Sequence, residues 1–220
     1  MQGLTQTLQI QLLDVCPTFI EEEKTGRSQV WNSDVSFQKG EKIQLVAPSG
    51  SGKTSLIHFL YGLRRDYAGE ILFNNKNIAR FDAEEQAASR RQFTSIVFQD
   101  LRLFREKTVR ENLEIKRMLM PFHAEDRIKD MAGRLGIGSK LDKPCRTCSY
   151  GEQQRIAIIR ALQQPFDFLL LDEPFSHLDN ANIRLALQLI EEEAALRKAA
   201  VIMADLEPPG LFKPDRTLNL

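Results

Sequence analysis

A chain of 220 residues with 42% hydrophobic and 27% charged side chains is long enough for one filled core, or a core with a subdomain, and ordinary for a soluble globular fold. Its 30 Lys+Arg against 30 Asp+Glu sum to a formal charge of zero, so no broad basic field awaits nucleic acid, although a local patch is left open. No apolar run nears the roughly 20 residues of a membrane span, the first residues lack a secretory pattern, and three cysteines do not suggest a disulfide framework; a cytosolic protein is expected.

In chain order, Leu8 to Val15 and Gln29 to Phe37 read as strands, the second carrying Trp31 as a core residue. The acidic triplet Glu21-Glu22-Glu23 between them reads as a solvated turn. Ile43 to Ala47 is a short buried strand, and Ser55 to Leu60 opens a helix. Gly69 to Phe73 is a strand, Asn74 to Asn77 turns the chain back, and Asp82 caps a helix running to Arg91. Thr94 to Phe98 is β-rich and ends at Gln99-Asp100. Thr108 to Met120 and Ala124 to Leu135 are helical, broken at Pro121. Tyr150 to Gln163 is a helix stopped before Pro165. The continuous apolar run Phe166 to Leu171 marks a strand buried on both faces of a parallel sheet. Asn180 to Lys198 is a long amphipathic helix whose Glu191-Glu192-Glu193 reads as a solvated face. Ala199 to Met203 is a last buried strand, and Thr217 to Leu220 begins one more.

The stretch that organises the rest is Ala47-Pro48-Ser49-Gly50-Ser51-Gly52-Lys53-Thr54. A strand, a glycine-rich loop and a helix with Gly-Lys-Thr at the junction form the context of a phosphate-binding loop. Gly50 and Gly52 lack Cβ, so backbone N–H groups can converge on an anion, and the helix N-terminus adds unpaired donors and partial positive charge. Lys53 supplies a cation for phosphates and Thr54 a hydroxyl for Mg²⁺. The strict pattern begins with Gly where this chain has Ala47, which fits wherever φ is negative. Further on, Asp172-Glu173 closes an apolar strand at the edge where open α/β sheets bind ligands; one carboxylate suits Mg²⁺, the other an attacking water.

These motifs, taken with Gln99, Cys148-Ser149-Tyr150-Gly151-Glu152-Gln153-Gln154-Arg155 and Ser176-His177-Leu178-Asp179, resemble the nucleotide-binding subunit of an ABC transporter along nearly the whole chain. Gln99 resembles the Q-loop glutamine, Ser149 to Arg155 the signature, Asp172-Glu173 the Walker B pair and Asp179 the D-loop aspartate. Phe19 sits where the family stacks adenine. Phe98 to Phe104 and Thr108 to Leu113 look most like the lipoprotein-releasing, macrolide-exporter and cell-division branches. The resemblance implies an α/β fold: a P-loop NTPase core with a mostly parallel sheet, an N-terminal antiparallel β subdomain and an inserted α-helical subdomain. Residues 1–220 would be one ABC ATPase domain, with the helical insert at about 100–160.

It also implies ATP and Mg²⁺. Ser49, Gly50, Ser51, Gly52, Lys53, Thr54 and Ser55 would bind the nucleotide with Phe19. Thr54, Gln99 and Asp172 would organise Mg²⁺, and Glu173 with Gln99 would act in catalysis. Ser149, Gly151 and Asp179 would act across a dimer, on the nucleotide of a second ABC subunit, a copy of this chain. Integral membrane permease subunits would be separate chains contacting Leu101 to Phe104 and Thr108 to Asn112. The protein would thus sit peripherally on the cytoplasmic face of the inner membrane, and nucleic acid is not an expected partner.

Several positions depart from the family. Ala47 and Tyr150 replace glycines, Glu152 replaces Gln, and Ala204 stands where the family places a switch histidine. A bulky Tyr150 would obstruct close approach to a partner's phosphate, and alanine cannot hydrogen-bond it. The expected function is therefore an ATP-binding, slowly hydrolysing subunit that drives or gates a membrane transport complex by ATP-dependent dimerisation. Its alternative is a clamp or regulatory module that barely hydrolyses ATP; a soluble ABC protein acting on DNA or ribosomes is the third reading. Returning a histidine at position 204 is expected to raise hydrolysis. His177 is a weaker candidate substitute. Cys145 and Cys148 form a CxxC lacking two further zinc ligands, which reads as a pair of reduced structural cysteines with a redox switch as the sharper alternative.

Overall fold

A computed structural model describes residues 8–20, 26, 28–206 and 210–220; the acidic triplet at 21–23 lies outside them. The chain builds two sheets. The first is antiparallel, in the order β2(Val35–Gln38), β1(Gln9–Pro17), β4(Tyr67–Phe73), β5(Lys76–Asn77). Ile10, Leu12 and Val15 of β1 are buried, the alternation of a half-covered strand, and the register slips at a bulge between Leu13 and Cys16 where Asp14 takes φ 51°. Gly69 sits opposite that bulge at φ +82°, and a Cβ there would lie 2.3 Å from the Asp14 carbonyl oxygen; only glycine fits.

The second sheet is parallel throughout, in the order β6(Thr94–Val97), β7(Phe168–Asp172), β8(Ala200–Asp205), β3(Lys42–Val46), β9(Arg216–Asn219). Its two faces serve two cores. Phe168, Leu170, Ile202 and Ala204 face α1(Lys53–Leu60) and the antiparallel sheet, with Leu56, Ile57 and Phe59. Leu169, Leu171, Val201 and Met203 face the opposite side, in a core with α3(Val109–Leu119), α4(Asp126–Arg134), α5(Tyr150–Ala161) and α6(Asn180–Arg197). The helical region expected as an insert therefore shares one continuous core with the sheet. No helix of the described residues is long and apolar enough to cross a membrane.

Local chemistry accounts for most helix starts. Asp82 caps α2(Ala83–Gln92), Thr108 caps α3 and Ser149 caps α5, each with a glutamate three residues on completing a capping box. The Glu152 that departs from the family's Gln is the partner of Ser149 in this box: its carboxylate accepts from Ser149 N at 2.7 Å. Helix α1 is different. Gly52 precedes it with no side-chain cap, leaving its first N–H groups available.

Two expectations need correction. Residues 28–34 form turns, not the start of a strand, and the extended segment begins at Val35. The hydroxyl of Ser28 accepts from the N–H groups of Val30 and Trp31 at 3.0 and 2.9 Å, a local arrangement that competes with strand pairing. Trp31 is buried as expected, but in a turn. Secondly, Glu193 is not on a solvated face: it is 1% exposed. It pairs with His123 Nε2 at 2.5 Å, Arg127 at 2.7 Å and Arg197 at 2.5 Å.

Candidate functional site

The C-terminal ends of β3 and β7, the start of α1 and the turn after β1 converge on one cleft of about 270 Å³. It is lined by Phe19, Ile20, Ser49, Gly50, Gly52, Lys53, Thr54, Ser55, Gln99 and Glu173. Gly50 and Gly52 have φ of +81° and +96°. A Cβ on Gly52 would meet Ile20 Cδ1 at 2.8 Å and Trp31 at 3.1 Å. Trp31 also donates its indole N–H to the Ser51 carbonyl at 3.1 Å, so it braces the loop from behind, a role its isolated position in the sequence did not announce. Ser51 turns its hydroxyl to the Pro48 carbonyl at 2.8 Å. Ala47 is buried and lies outside the left-handed region, so it fits where the family has glycine.

Lys53 is buried and donates to the carbonyls of Ala47 at 2.6 Å and Pro48 at 3.1 Å, with Glu173 at 4.0 Å. Burial lowers its pKa, and the nearby Glu173, Asp172 and Asp205 charges oppose that shift. The Thr54 hydroxyl lies 3.2 Å from both Gln99 Oε1 and Asp172 Oδ1, two acceptors between which its one hydrogen is shared. Gln99 Nε2 donates to Glu173 Oε2 at 3.1 Å. Glu173 itself has φ 45°, a strained conformation for a residue that carries a Cβ and one found at functional positions; its N–H is held by the Ala204 carbonyl at 2.9 Å.

Asp172 lies beneath this group, 1% exposed. Burial pushes its pKa up to about 6, and its Oδ2 is buried without a hydrogen-bond partner. An orphaned carboxylate oxygen beside the Thr54 hydroxyl and the Gln99 amide fits a hard cation that keeps most of its waters, as Mg²⁺ does. Among the described residues no group of three or more His, Cys, Asp or Glu is placed to hold a metal ion. Cys145 and Cys148 are free, and burial pushes the Cys145 thiol up to about 11, which disfavours its thiolate near neutral pH.

Ser149, Gly151 and Asp179 do not line the cleft. Ser149 and Asp179 cap helices, Asp179 accepting from Asn182 N at 2.8 Å, and Gly151 lies against the His177 carbonyl, 3.0 Å from where its Cβ would be. Tyr150 does not stand clear of its own chain. Its ring packs on His177 with centroids 4.2 Å apart, and its hydroxyl is 3.4 Å from the Gln99 carbonyl.

Ala204 pairs with Asp172 in the parallel register and is fully buried on the α1 face. A histidine there would be driven into the core beneath the loop, which costs roughly 1–3 kcal/mol by overpacking. Ala204→His is therefore expected to lower the melting temperature by at least about 2 °C with no gain in phosphate release, read by thermal melting and a phosphate assay. Asp205 is the residue at the strand's end, half-buried, in register with Val46 and close enough for its charge to be felt at Lys53.

The sequence profile described as "ABC transporter" matches residues 30–176, and the chain belongs to that family, as an ATP-binding cassette. It is 34% identical over 173 residues to the macrolide export ATP-binding/permease protein MacB of Nitrosomonas europaea, covering 77% of this chain and 26% of that one. The chain thus spans about a quarter of the length of this relative. The thiamine import ATP-binding protein ThiQ of Photobacterium profundum is 32% identical, with 94% of this chain and 84% of that one covered. The lipoprotein-releasing system ATP-binding protein LolD of Legionella pneumophila is 30% identical, with 85% and 84% covered. In structure, the bacterial ABC transporter cassette MJ0796, solved as a dimer, superposes with a TM-score of 0.83 at 24% identity, over 96% of this chain and 94% of that one; at that identity the likeness speaks for the fold.

Proposed function

We propose that this chain is the ATP-hydrolysing cassette of a membrane transport complex, that it works as a pair with a second copy of itself, and that its turnover is slow. The observation that carries the reading is Glu173: a carboxylate in a strained backbone, at the C-terminal end of a buried strand, linked to Gln99 at 3.1 Å and 4.0 Å from Lys53. That is where a base for an attacking water belongs. The loop amides, Lys53 and the α1 N-terminus would hold the phosphates, with Ser49 to Ser55 around them. Thr54, Gln99 and Asp172 would hold Mg²⁺, which supplies charge neutralisation at the phosphate oxygens. Lys53 would exchange its bonds to the Ala47 and Pro48 carbonyls for phosphate oxygens.

Pairing is supported by what the cleft lacks. At about 270 Å³ it is below the range of sites that enclose a small molecule, roughly 300–1,000 Å³, and Ser149 and Gly151 lie outside it, available to a partner's nucleotide. Slow turnover is supported by Ala204, whose buried methyl side chain offers no polar atom to a phosphate. Asp205→His, not Ala204→His, is the substitution expected to raise the rate. Permease contact is supported by Phe104, Ile115, Met118 and Leu119, all exposed on the helical region, a concentration of apolar surface that marks interaction sites. The whole chain would form a single cassette, peripheral to a membrane through those subunits.

The test is to incubate the purified chain with Mg-ATP and follow phosphate release and mass in solution. ATP-dependent dimers that release phosphate and then separate are the expected result. A wild-type dimer that stays trapped and releases none would replace this reading with the clamp; no dimer under any nucleotide condition would remove the pairing.

A further inference from the structure

We propose that Arg64 is a positioning residue for the base end of the nucleotide: its guanidinium backs the ring of Phe19 and ties that ring to the phosphate loop, so that a purine stacked on Phe19 is held at a set height above the phosphates. The inference rests on the nucleotide reading above and extends it to a residue outside every motif.

Phe19 is 50% exposed, in the turn that follows β1. A ring so exposed has little packing of its own to fix it, yet a stacking platform must hold one orientation. Arg64 provides the support. Its Cζ lies 4.5 Å from the Phe19 ring centroid and 5.7 Å from that of Phe59. Phe19 and Ser55 line the cleft and Arg64 is not among its lining residues, which favours a guanidinium behind the ring, with the cleft side left for a base.

The same guanidinium is locked on three sides. Nη1 donates to Ser55 Oγ at 3.1 Å, in the first turn of α1. Nε donates to Asp66 Oδ1 at 2.9 Å, and Nη2 donates to Asp66 Oδ2. The carbonyl of Asp66 in turn accepts from both the N–H and the hydroxyl of Thr18, each at 3.1 Å. The contacts form a closed loop: Phe19 to Arg64, Arg64 to Ser55 and Asp66, Asp66 to Thr18, and Thr18 to Phe19 through the chain. The base platform and the phosphate helix are thereby fixed to each other. Arginine suits the task because one planar group can grip a carboxylate with two donors while its face lies on an aromatic ring; lysine, a point charge on a flexible stem, cannot do both.

The experiment measures binding of Mg-ATP, Mg-ADP and inorganic tripolyphosphate to the intact chain by calorimetry, for wild type, Arg64→Ala, Arg64→Lys, Phe19→Ala and the Phe19→Ala/Arg64→Ala double variant. Both Arg64 variants are expected to weaken Mg-ATP and Mg-ADP by about two- to fivefold, the size of an exposed cation–π contact. Tripolyphosphate, which has no base, should bind all proteins alike. Arg64→Ala should add nothing once Phe19 is gone. An equal loss for tripolyphosphate would overturn the proposal, because Arg64 would then act through Ser55 on the phosphates. Tighter nucleotide binding would overturn it too, placing Arg64 on the stacking face, as would no change at all. If Phe19→Ala is itself silent and wild type binds ATP no better than tripolyphosphate, the base reading of Phe19 fails first, and Arg64 with it.

Discussion

Glu173→Gln is expected to lower phosphate release by about 10²–10⁴-fold, the usual worth of a general base, while Mg-ATP still binds and the paired form accumulates. The amide keeps the shape of the carboxylate and its link to Gln99, but it cannot accept a proton from water. Backbone strain at φ 45° is the same for both side chains, so stability should change little. Steady-state phosphate release, with the dimer followed by mass in solution, checks both halves. A variant that keeps wild-type turnover would remove Glu173 as the base.

Glu193→Ala is expected to destabilise the protein by about 3 kcal/mol, the lower end for breaking a buried ion pair, or a fall of about 6–12 °C in melting temperature. Glu193 accepts from Arg197, Arg127 and His123, and Arg197 also donates to the Leu162 and Gln164 carbonyls at 2.9 and 3.3 Å. Arg197 further lies 3.6 Å from the Phe122 ring centroid and 4.4 Å from that of Phe166. Removing the carboxylate leaves a buried guanidinium without its counter-charge. Burial alone would raise the Glu193 pKa, but the hydrogen bonds from Arg197, Arg127 and His123 hold it below the ordinary value. A lowered carboxylate pKa gives stability that is present above the unfolded-state value and is lost as pH falls through the folded one. The wild type should therefore lose more stability than the variant between neutral and strongly acidic pH. Thermal melts of both proteins across that range measure it; parallel curves would assign the network no net stabilisation.

The phosphate loop was legible because its demands are local: two glycines, a lysine and a threonine at fixed offsets between a strand and a helix. The apolar run before Asp172 was legible because a strand covered on both faces tolerates little else. Trp31 was misplaced because Val30 and Trp31 have strand propensity, and Ser28 overrides it with two local hydrogen bonds. Glu193 was misread because three consecutive glutamates look alike in one dimension. On the helix only the third turns inward, four residues before Arg197, and Arg127 and His123 reach it from far away in sequence. The burial of Ala204 was not legible: the motif names the strand's end, but only the register with Asp172 tells which side chain is inside. Arg64 carries no motif, and its partners Phe19, Ser55 and Asp66 are united only by the fold.

The left-handed Glu173 settles how two neighbouring acids come to share one cleft. Along β7 odd and even residues belong to opposite sides of the sheet: Phe168 and Leu170 on the α1 side, Leu169 and Leu171 on the helical side. Asp172 inherits the even address and meets Thr54 on α1. Glu173 has the odd address and, in a continued strand, would be delivered to the helical side. The reversal of φ at this one residue cancels the alternation and brings its carboxylate back beside Lys53 and Gln99. Chain length along β7 thus acts as a counter: one residue deleted before Asp172 would bring the glutamate to the address beside Thr54 and turn the aspartate to the helical side, where Leu171 now lies.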